Sequence, residues 1–381
     1  MLVPFKPVKT ALIGAGTISG EYLKNIVNRF DILDVVGCSD IIPERSKARA
    51  EEFGIRRMTN EEILNDPEIE LVVNTTYPTA HYEVTKSILE AGKHAYCEKP
   101  VAAELGQAKE LLELARSKNL YLGNAPDTFL GAAEQTARKI LDSGLLGEPV
   151  MARATLIRGY HELGGASEGT PKLPFPMHPG GGIIFDVGCY YFASLINLLG
   201  PIVRVAGFSQ TREKEKLYTN PGHVNYGTTE KVQSPNNTLG ALEFANGVLG
   251  TIMATSEAHS EIPQLEIYCT EGTLVCPDPN YFGGEVKIRR AEDPAYYTVP
   301  HTHDFNGTDF RGIGVAELAY AMRNGRKARS DASLAYHFLE ASAGLIESGE
   351  TNCFHIMEST CEQPAPLPSG IFGYKEYALN H

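Results

Sequence analysis

Lys99, in Glu98-Lys99-Pro100, ends the apolar run Lys93-His94-Ala95-Tyr96-Cys97, which sets its amine at the tip of a strand. Most lysines are solvated surface residues. One held in a crevice loses water, and burial beside another cation disfavours its charged form, which brings proton exchange toward neutrality. A lysine of lowered basicity is the expectation. Further on, Gly180-Gly181-Gly182 leads into Ile183-Ile184-Phe185-Asp186-Val187-Gly188-Cys189-Tyr190-Tyr191, read as one helix from Ile183 to Leu199. Asp186 and Tyr190 are four apart and would share a helical face. An acid and a phenol in an apolar helix are costly to bury unless paired or at work, although a buried tyrosine with one satisfied hydroxyl is the commoner outcome.

Near the N-terminus, the buried run Thr10-Ala11-Leu12-Ile13 is followed by Gly14-Ala15-Gly16-Thr17-Ile18-Ser19-Gly20 and then a helical stretch from Glu21 to Arg29. Strand, glycine turn and helix in that order form a dinucleotide-binding fingerprint. Gly14 would make the tight turn, Gly16 would admit a pyrophosphate, and the helix start at Thr17 and Ile18 would offer free N–H groups. Asp40 ends the next strand, at the spacing where an acid bonds an adenosine ribose; its charge would repel a 2′-phosphate, so NAD is preferred over NADP. Arg45 pulls toward NADP, and Asp40 could instead cap the helix beginning near Pro43. Thr76 and Tyr77, at another strand end, and Glu98 and Lys99 would face the same cofactor; His81, one turn further, reads equally as ligand or structural hydrogen-bond partner.

Short apolar runs at 9–13, 33–38, 70–75, 93–97 and 120–122 alternate with amphipathic stretches near 18–28, 43–52, 79–91 and 104–117. That rhythm predicts a doubly wound parallel sheet, a Rossmann domain over 1–124, with its crevice at the strand carboxyl ends. Residues 125–381 read as an α+β domain with a large, mostly antiparallel sheet: helices at 128–143, 183–199, 311–324 and 332–348, strands at 202–208, 238–245, 247–254, 264–269 and 285–290, and an extended tail at Pro364, Pro366 and Pro368.

A net charge of −13 without a basic cluster argues against nucleic acid or an anionic membrane as partner and for small-molecule work. The seven cysteines, odd in number and without paired spacing, predict reduced structural thiols; with no targeting or spanning segment the reading is cytoplasmic. Polar residues at the junction and in the loop before Gly180, namely Asn124, Asp127, Arg158, Tyr160, His161 and His178, suit a polyhydroxylated ligand. His161-Glu162 and His301-Thr302-His303-Asp304 lack metal-ligand spacing, so no metal is expected.

Through the glycine turn, Ala91-Gly92-Lys93-His94 with Glu98-Lys99-Pro100, Asp186-Val187-Gly188-Cys189-Tyr190, Asn246-Gly247-Val248-Leu249-Gly250-Thr251 and Thr270-Glu271-Gly272-Thr273, the chain resembles the glucose–fructose oxidoreductase / inositol dehydrogenase / MocA (Gfo/Idh/MocA) family over nearly its whole length. The resemblance implies that Lys99 is catalytic beside nicotinamide and that Asp186 orients substrate. Most members carry a histidine where this chain has Tyr190. A phenol is a poor base unless a cation lowers its pKa, and Lys99 would be that cation, forming a coupled pair. The expected activity is NAD-dependent hydride transfer to or from a ring hydroxyl of a sugar, cyclitol or glycoside, with C3 of a glucoside as the specific expectation. The alternatives are an NAD-dependent glycosidase that oxidises transiently, and a non-catalytic dinucleotide sensor. The same resemblance implies a homodimer, a homotetramer or a higher homo-oligomer, assembled through the open face of the second sheet.

Overall fold

The computed structural model describes residues 6–159, 177, 180–223, 225–260, 264–370 and 376–381. Its first sheet contains β1 (Val8–Ile13), β2 (Leu33–Ser39), β3 (Arg56–Arg57), β4 (Leu71–Asn74), β5 (His94–Cys97) and β6 (Leu122–Asn124), all parallel, in the order β3-β2-β1-β4-β5-β6. Leu71-Val72-Val73-Asn74 is buried throughout because helices cover both faces of a parallel sheet. Strand order reverses at β1, so a crevice opens between the carboxyl ends of β1 and β4. The helices are α1 (Thr17–Asn28), α2 (Pro43–Phe53), α3 (Asn60–Asn65), α4 (His81–Glu90) and α5 (Leu105–Ser117). Neither α3 nor β3 is expected from the apolar pattern. α3 forms because Thr59 and Glu62 make a reciprocal capping box.

After α6 (Ala132–Asp142), β7 (Pro149–Ile157) enters a second sheet, followed by α7 (Ile183–Asp186), α8 (Gly188–Leu199) and β8 (Ile202–Gln210). A small ribbon, β9 (Glu215–Leu217) with β10 (Thr229–Lys231), stands apart. β11 (Asn237–Phe244), β12 (Leu249–Thr255), β13 (Gln264–Cys269), β14 (Gly272–Cys276), β15 (Val286–Arg290) and β16 (Tyr297–Val299) follow. The chain closes with α9 (Ile313–Asn324), α10 (Ala332–Thr351), β17 (His355–Ile356) and α11 (Tyr377–Asn380). The sheet order is β16-β15-β14-β13-β7-β12-β11-β8-β17, antiparallel except where β7 runs parallel to β12. β7, at its centre, escapes the sequence reading because Val150 and Met151 are exposed although apolar, which blurs the alternation.

One face of this sheet packs on helices. A Cβ on Gly240 would press on the Leu345 side chain of α10, so glycine there lets that helix pack close. The opposite face turns Phe208, Leu239 and Met253 outward in one row, paired Leu239 to Phe208 and Leu239 to Met253. The chain after Phe310 returns to the first sheet. Asn124 N–H donates to Ser330 O at 2.9 Å, and Arg323 grips both oxygens of Glu70 at 2.8 Å. No helix among the described residues is long and apolar enough to cross a membrane.

Candidate active site

Two parts of the crevice meet at Lys99. At the β1 end, Gly14 takes φ +102°, and a Cβ there would lie 2.5 Å from Thr76 N. Thr75 Oγ1 donates to Gly14 O at 2.7 Å, locking this turn to the tip of β4. A Cβ on Gly16 would meet nothing within 4 Å, and no side chain caps α1, whose first residue Thr17 is exposed while Ile18 is half-buried. Free N–H groups opening on unfilled space at a positive helix end are what a pyrophosphate requires. Asp40, just beyond β2, is half-buried; its Oδ1 accepts from Ile42 N at 2.8 Å, a bond that leaves the second carboxylate oxygen for a ribose, so the capping and ribose readings are compatible. Arg45 lies half-buried on the first turn of α2. The residues at this end therefore fit NAD.

At the other end, Lys99 Nζ donates to Asp186 Oδ1 at 2.6 Å and to Asp186 O at 2.7 Å, and it lies 5.5 Å from the Tyr190 ring centroid. The helix expected over 183–199 breaks at Val187. The break turns the Asp186 carbonyl out of the helical ladder and toward the lysine. Burial alone would push the Lys99 ammonium down; the charges of Asp186, Tyr190, Cys189 and Glu98 outweigh it and hold the amine well above the usual lysine range. The expectation of a lowered lysine is thus overturned, because the sequence does not reveal its carboxylate partner. Tyr190 is buried, and burial holds its phenol above the ordinary value, outweighing the Lys99 and Arg311 cations that pull it down; the expectation of a phenol lowered by Lys99 is overturned as well.

Several predicted contacts prove to be supports. Glu98 Oε1 accepts from Tyr22 of α1 at 2.8 Å and Oε2 from Lys99 N–H at 2.9 Å, so both oxygens fix the backbone of the lysine. His81 is fully buried with Nδ1 2.6 Å from Pro100 O and Nε2 3.0 Å from Thr76 O; both ring nitrogens brace loops, and the cofactor role is corrected. Asn124, expected to hold substrate, donates to Cys97 O at 2.7 Å and Glu98 O at 3.2 Å behind the lysine. Asp127, with the same expectation, accepts from Gly312 N at 2.9 Å and Gly314 N at 3.0 Å at the start of α9, and burial pushes its carboxyl up to about 6. These two sit where their partners need polar atoms, which position in sequence cannot disclose.

Thr76 Oγ1 donates to Asn74 Oδ1 at 2.7 Å, and Tyr77 stands half-buried beside it. Arg158, at the end of β7, pairs with Asp278 at 2.9 Å. Tyr160, His161 and His178 lie outside the described residues. Among the described residues no three His, Cys, Asp or Glu side chains group to hold a metal, and His301 and His303 bond loop carbonyls.

Arg311 is the residue sequence reasoning missed. Its Nη2 donates to Asn280 Oδ1 at 2.8 Å, and its charge pulls the Tyr190 phenol down. An arginine set against Gly312 at the mouth of an apolar helix was the available signal.

A dinucleotide cleft at a strand-order switch, with a lysine, a carboxylate and a phenol at its far end, defines an NAD-binding Rossmann protein. The sequence model of an oxidoreductase family with NAD-binding Rossmann fold matches residues 8–125, and that of the GFO/IDH/MocA C-terminal domain matches residues 135–275. The chain belongs to the Gfo/Idh/MocA family. An uncharacterized oxidoreductase of Schizosaccharomyces pombe is 35% identical over 199 residues, 51% of this chain. That match spans about half, 52%, of the relative's own length. The scyllo-inositol 2-dehydrogenase (NAD(+)) of Bacillus subtilis is 24% identical over 84% of this chain and 87% of its own. The levoglucosan dehydrogenase structure in complex with NADH superposes with a TM-score of 0.78 at 20% identity, covering 93% of this chain and 100% of that one, a likeness of fold.

Proposed function

We propose that the protein is an NAD-dependent oxidoreductase acting on a ring hydroxyl or ketone of a sugar, cyclitol or glycoside. The observation that carries this reading is the double hydrogen bond from Lys99 to Asp186 beside the Tyr190 ring. When bound, nicotinamide would supply hydride transfer, taking the hydride from the carbinol carbon in oxidation and giving one to the ketone carbon in reduction. The charged Lys99 would donate a hydrogen bond to the reacting oxygen and stabilise negative charge developing there. Tyr190, as phenolate, would take the hydroxyl proton in oxidation and, as phenol, return it in reduction, its titration shared with Lys99 and Asp186. Asp186 would keep the amine charged and fix its direction. Relatives named as acting on inositols and levoglucosan support a polyol substrate. C3 of a glucoside remains the specific proposal on regiochemistry.

The outward row of Phe208, Leu239 and Met253 supports assembly into a homodimer or homotetramer, since an apolar sheet face of this kind is costly to leave in water. Sedimentation of the full chain tests it: a monomer at micromolar concentration overturns it.

Incubating the protein and NAD with a panel of monosaccharides, inositols and glycosides, while following NADH absorbance and product masses, tests the activity. Net NADH with a ketone product supports the dehydrogenase. Aglycone release without net NADH supports the glycosidase instead, and no reaction despite tight NAD binding supports the sensor.

A further inference from the structure

We propose that Ser234 is a positioning residue for the Lys99–Asp186 pair: its hydroxyl pins the glycine turn at Gly181, and that turn sets where the short helix α7 presents the carbonyl and carboxylate of Asp186. The inference rests on the reading of Lys99 as a group of the reacting site.

Direct contacts carry it from end to end. Ser234 is buried between β10 and β11, and its Oγ donates to Gly181 O at 2.6 Å. The next carbonyl, Gly182 O, accepts from Asp186 N at 2.8 Å and Phe185 N at 3.1 Å, which closes the single turn of α7. Asp186 ends that turn and takes Lys99 Nζ on Oδ1 at 2.6 Å and on its carbonyl at 2.7 Å. The far side of Ser234 is fixed as well. Its N–H donates to Met177 O at 3.1 Å, and two residues on, Asn236 O accepts from Ser256 N at 3.0 Å. Glu257, just past β12, takes the side-chain amides of Asn236 at 2.7 Å and Asn237 at 2.6 Å.

The three glycines gain a reason from this contact. A Cβ on Gly180 would stand 2.6 Å from Ala103 O, on the loop that follows Lys99-Pro100, and one on Gly182 would stand 2.5 Å from Ser234 Oγ and 2.9 Å from Pro235 O. The turn is therefore held between the lysine's own loop in the first domain and residues 234–235 in the second. Four residues make a helix with little stability of its own, and no side chain caps α7, so its direction has to be imposed from outside. Ser234 is the side chain that does so.

The test is trace acetylation of the full-length protein with acetic anhydride, the rate at each lysine read by peptide mass against pH. Only a neutral amine reacts. Burial would discharge Lys99, and Asp186, with Tyr190, Cys189 and Glu98, keeps it charged, so any loosening of Asp186 frees the amine to react. With Ser234→Ala, which removes the hydroxyl and adds no bulk, the Lys99 rate near pH 9 is expected to rise about tenfold, equal to a fall of about one pH unit in its midpoint. Lys93, buried in the first domain on Asp66 O and Ile69 O, is expected to keep its rate. An unchanged Lys99 rate overturns the proposal, and so does an equal rise at Lys93, which reports general loosening. Should Ser234→Ala fail to fold, Ser234→Cys, a weaker donor to Gly181, must raise the Lys99 rate part of the way, and no rise again overturns it. The measurement needs neither NAD nor substrate, so its failure is distinct from failure of the activity reading, which Lys99→Ala tests by turnover.

Discussion

Lys99 and Asp186, 87 positions apart in the chain, are joined twice, once through the carboxylate at 2.6 Å and once through the main-chain carbonyl at 2.7 Å. The second bond survives any change of the Asp186 side chain, so direction and charge of the amine can be separated by mutation. Lys99→Ala is expected to lower kcat by roughly 100-fold or more, the usual scale for a proton-exchange group. Asp186→Asn keeps the amine aimed but removes the charge that raises it, so its loss should be smaller and pH-dependent. Steady-state rates across pH on the productive substrate check both, and equal pH-independent losses would contradict the arrangement.

Tyr190→Phe removes one hydroxyl and leaves the ring packed. A fall of roughly 100-fold in kcat with KM little changed is expected if the phenol moves the proton. Unaltered kcat removes Tyr190 from the chemistry.

The two glycines of the turn should separate binding from folding. Gly14→Ala forces a Cβ against Thr76 N at φ +102° and is expected to cost about 1–3 kcal/mol in stability as well as NAD affinity. Gly16→Ala meets no protein atom within 4 Å and should leave stability within about 0.5 kcal/mol while weakening NAD roughly tenfold or more. Thermal melting and NAD titration of both variants measure the two effects.

Asp40→Asn removes the charge at the β2 tip and keeps the bond to Ile42 N. The ratio of NAD to NADP affinity should fall by about tenfold, because the repulsion of a 2′-phosphate is lost. An unchanged ratio would move cofactor choice elsewhere, with Arg45 the first place to look.

Glu134 is buried on α6, where Ser194 donates to it at 2.5 Å, and burial pushes its carboxyl from 4.5 up to about 7. Because the folded value is raised, its stabilising contribution is full below about pH 4.5 and lost as pH rises through about 7. The size is about 3 kcal/mol. Glu134→Gln should therefore flatten the fall in melting temperature between about pH 5 and about pH 8. A parallel pH profile in the variant would show that Glu134 does not carry that slope.

The crevice was legible in the sequence because its signals are local. A buried strand, a glycine turn and a helix occupy consecutive residues, and Asp40 and Lys99 each end a short apolar run, so spacing alone put them at strand tips. Polar alternation also disclosed β8, β11, β12, β13 and β15 of the second sheet; β7, whose outward face is itself apolar, and the short β14, β16 and β17 were not disclosed.

What the tertiary structure alone decided is which polar groups work and which support. Asn124, Asp127 and His81 look like ligands in sequence because they are polar and near strand ends, yet each is bonded to a carbonyl or N–H that another segment supplies. Lys99 is raised rather than lowered because a carboxylate from the second domain neutralises the burial that would have discharged it. Arg311, distant in sequence from the other site residues, comes to the site because the chain entering α9 is held there, its carbonyl by Asn25 of α1 and the next N–H by Asp127. Periodicity reports which face of an element is buried; it holds no information on which charge lies opposite, and in a low-dielectric site that opposite charge sets each group's protonation.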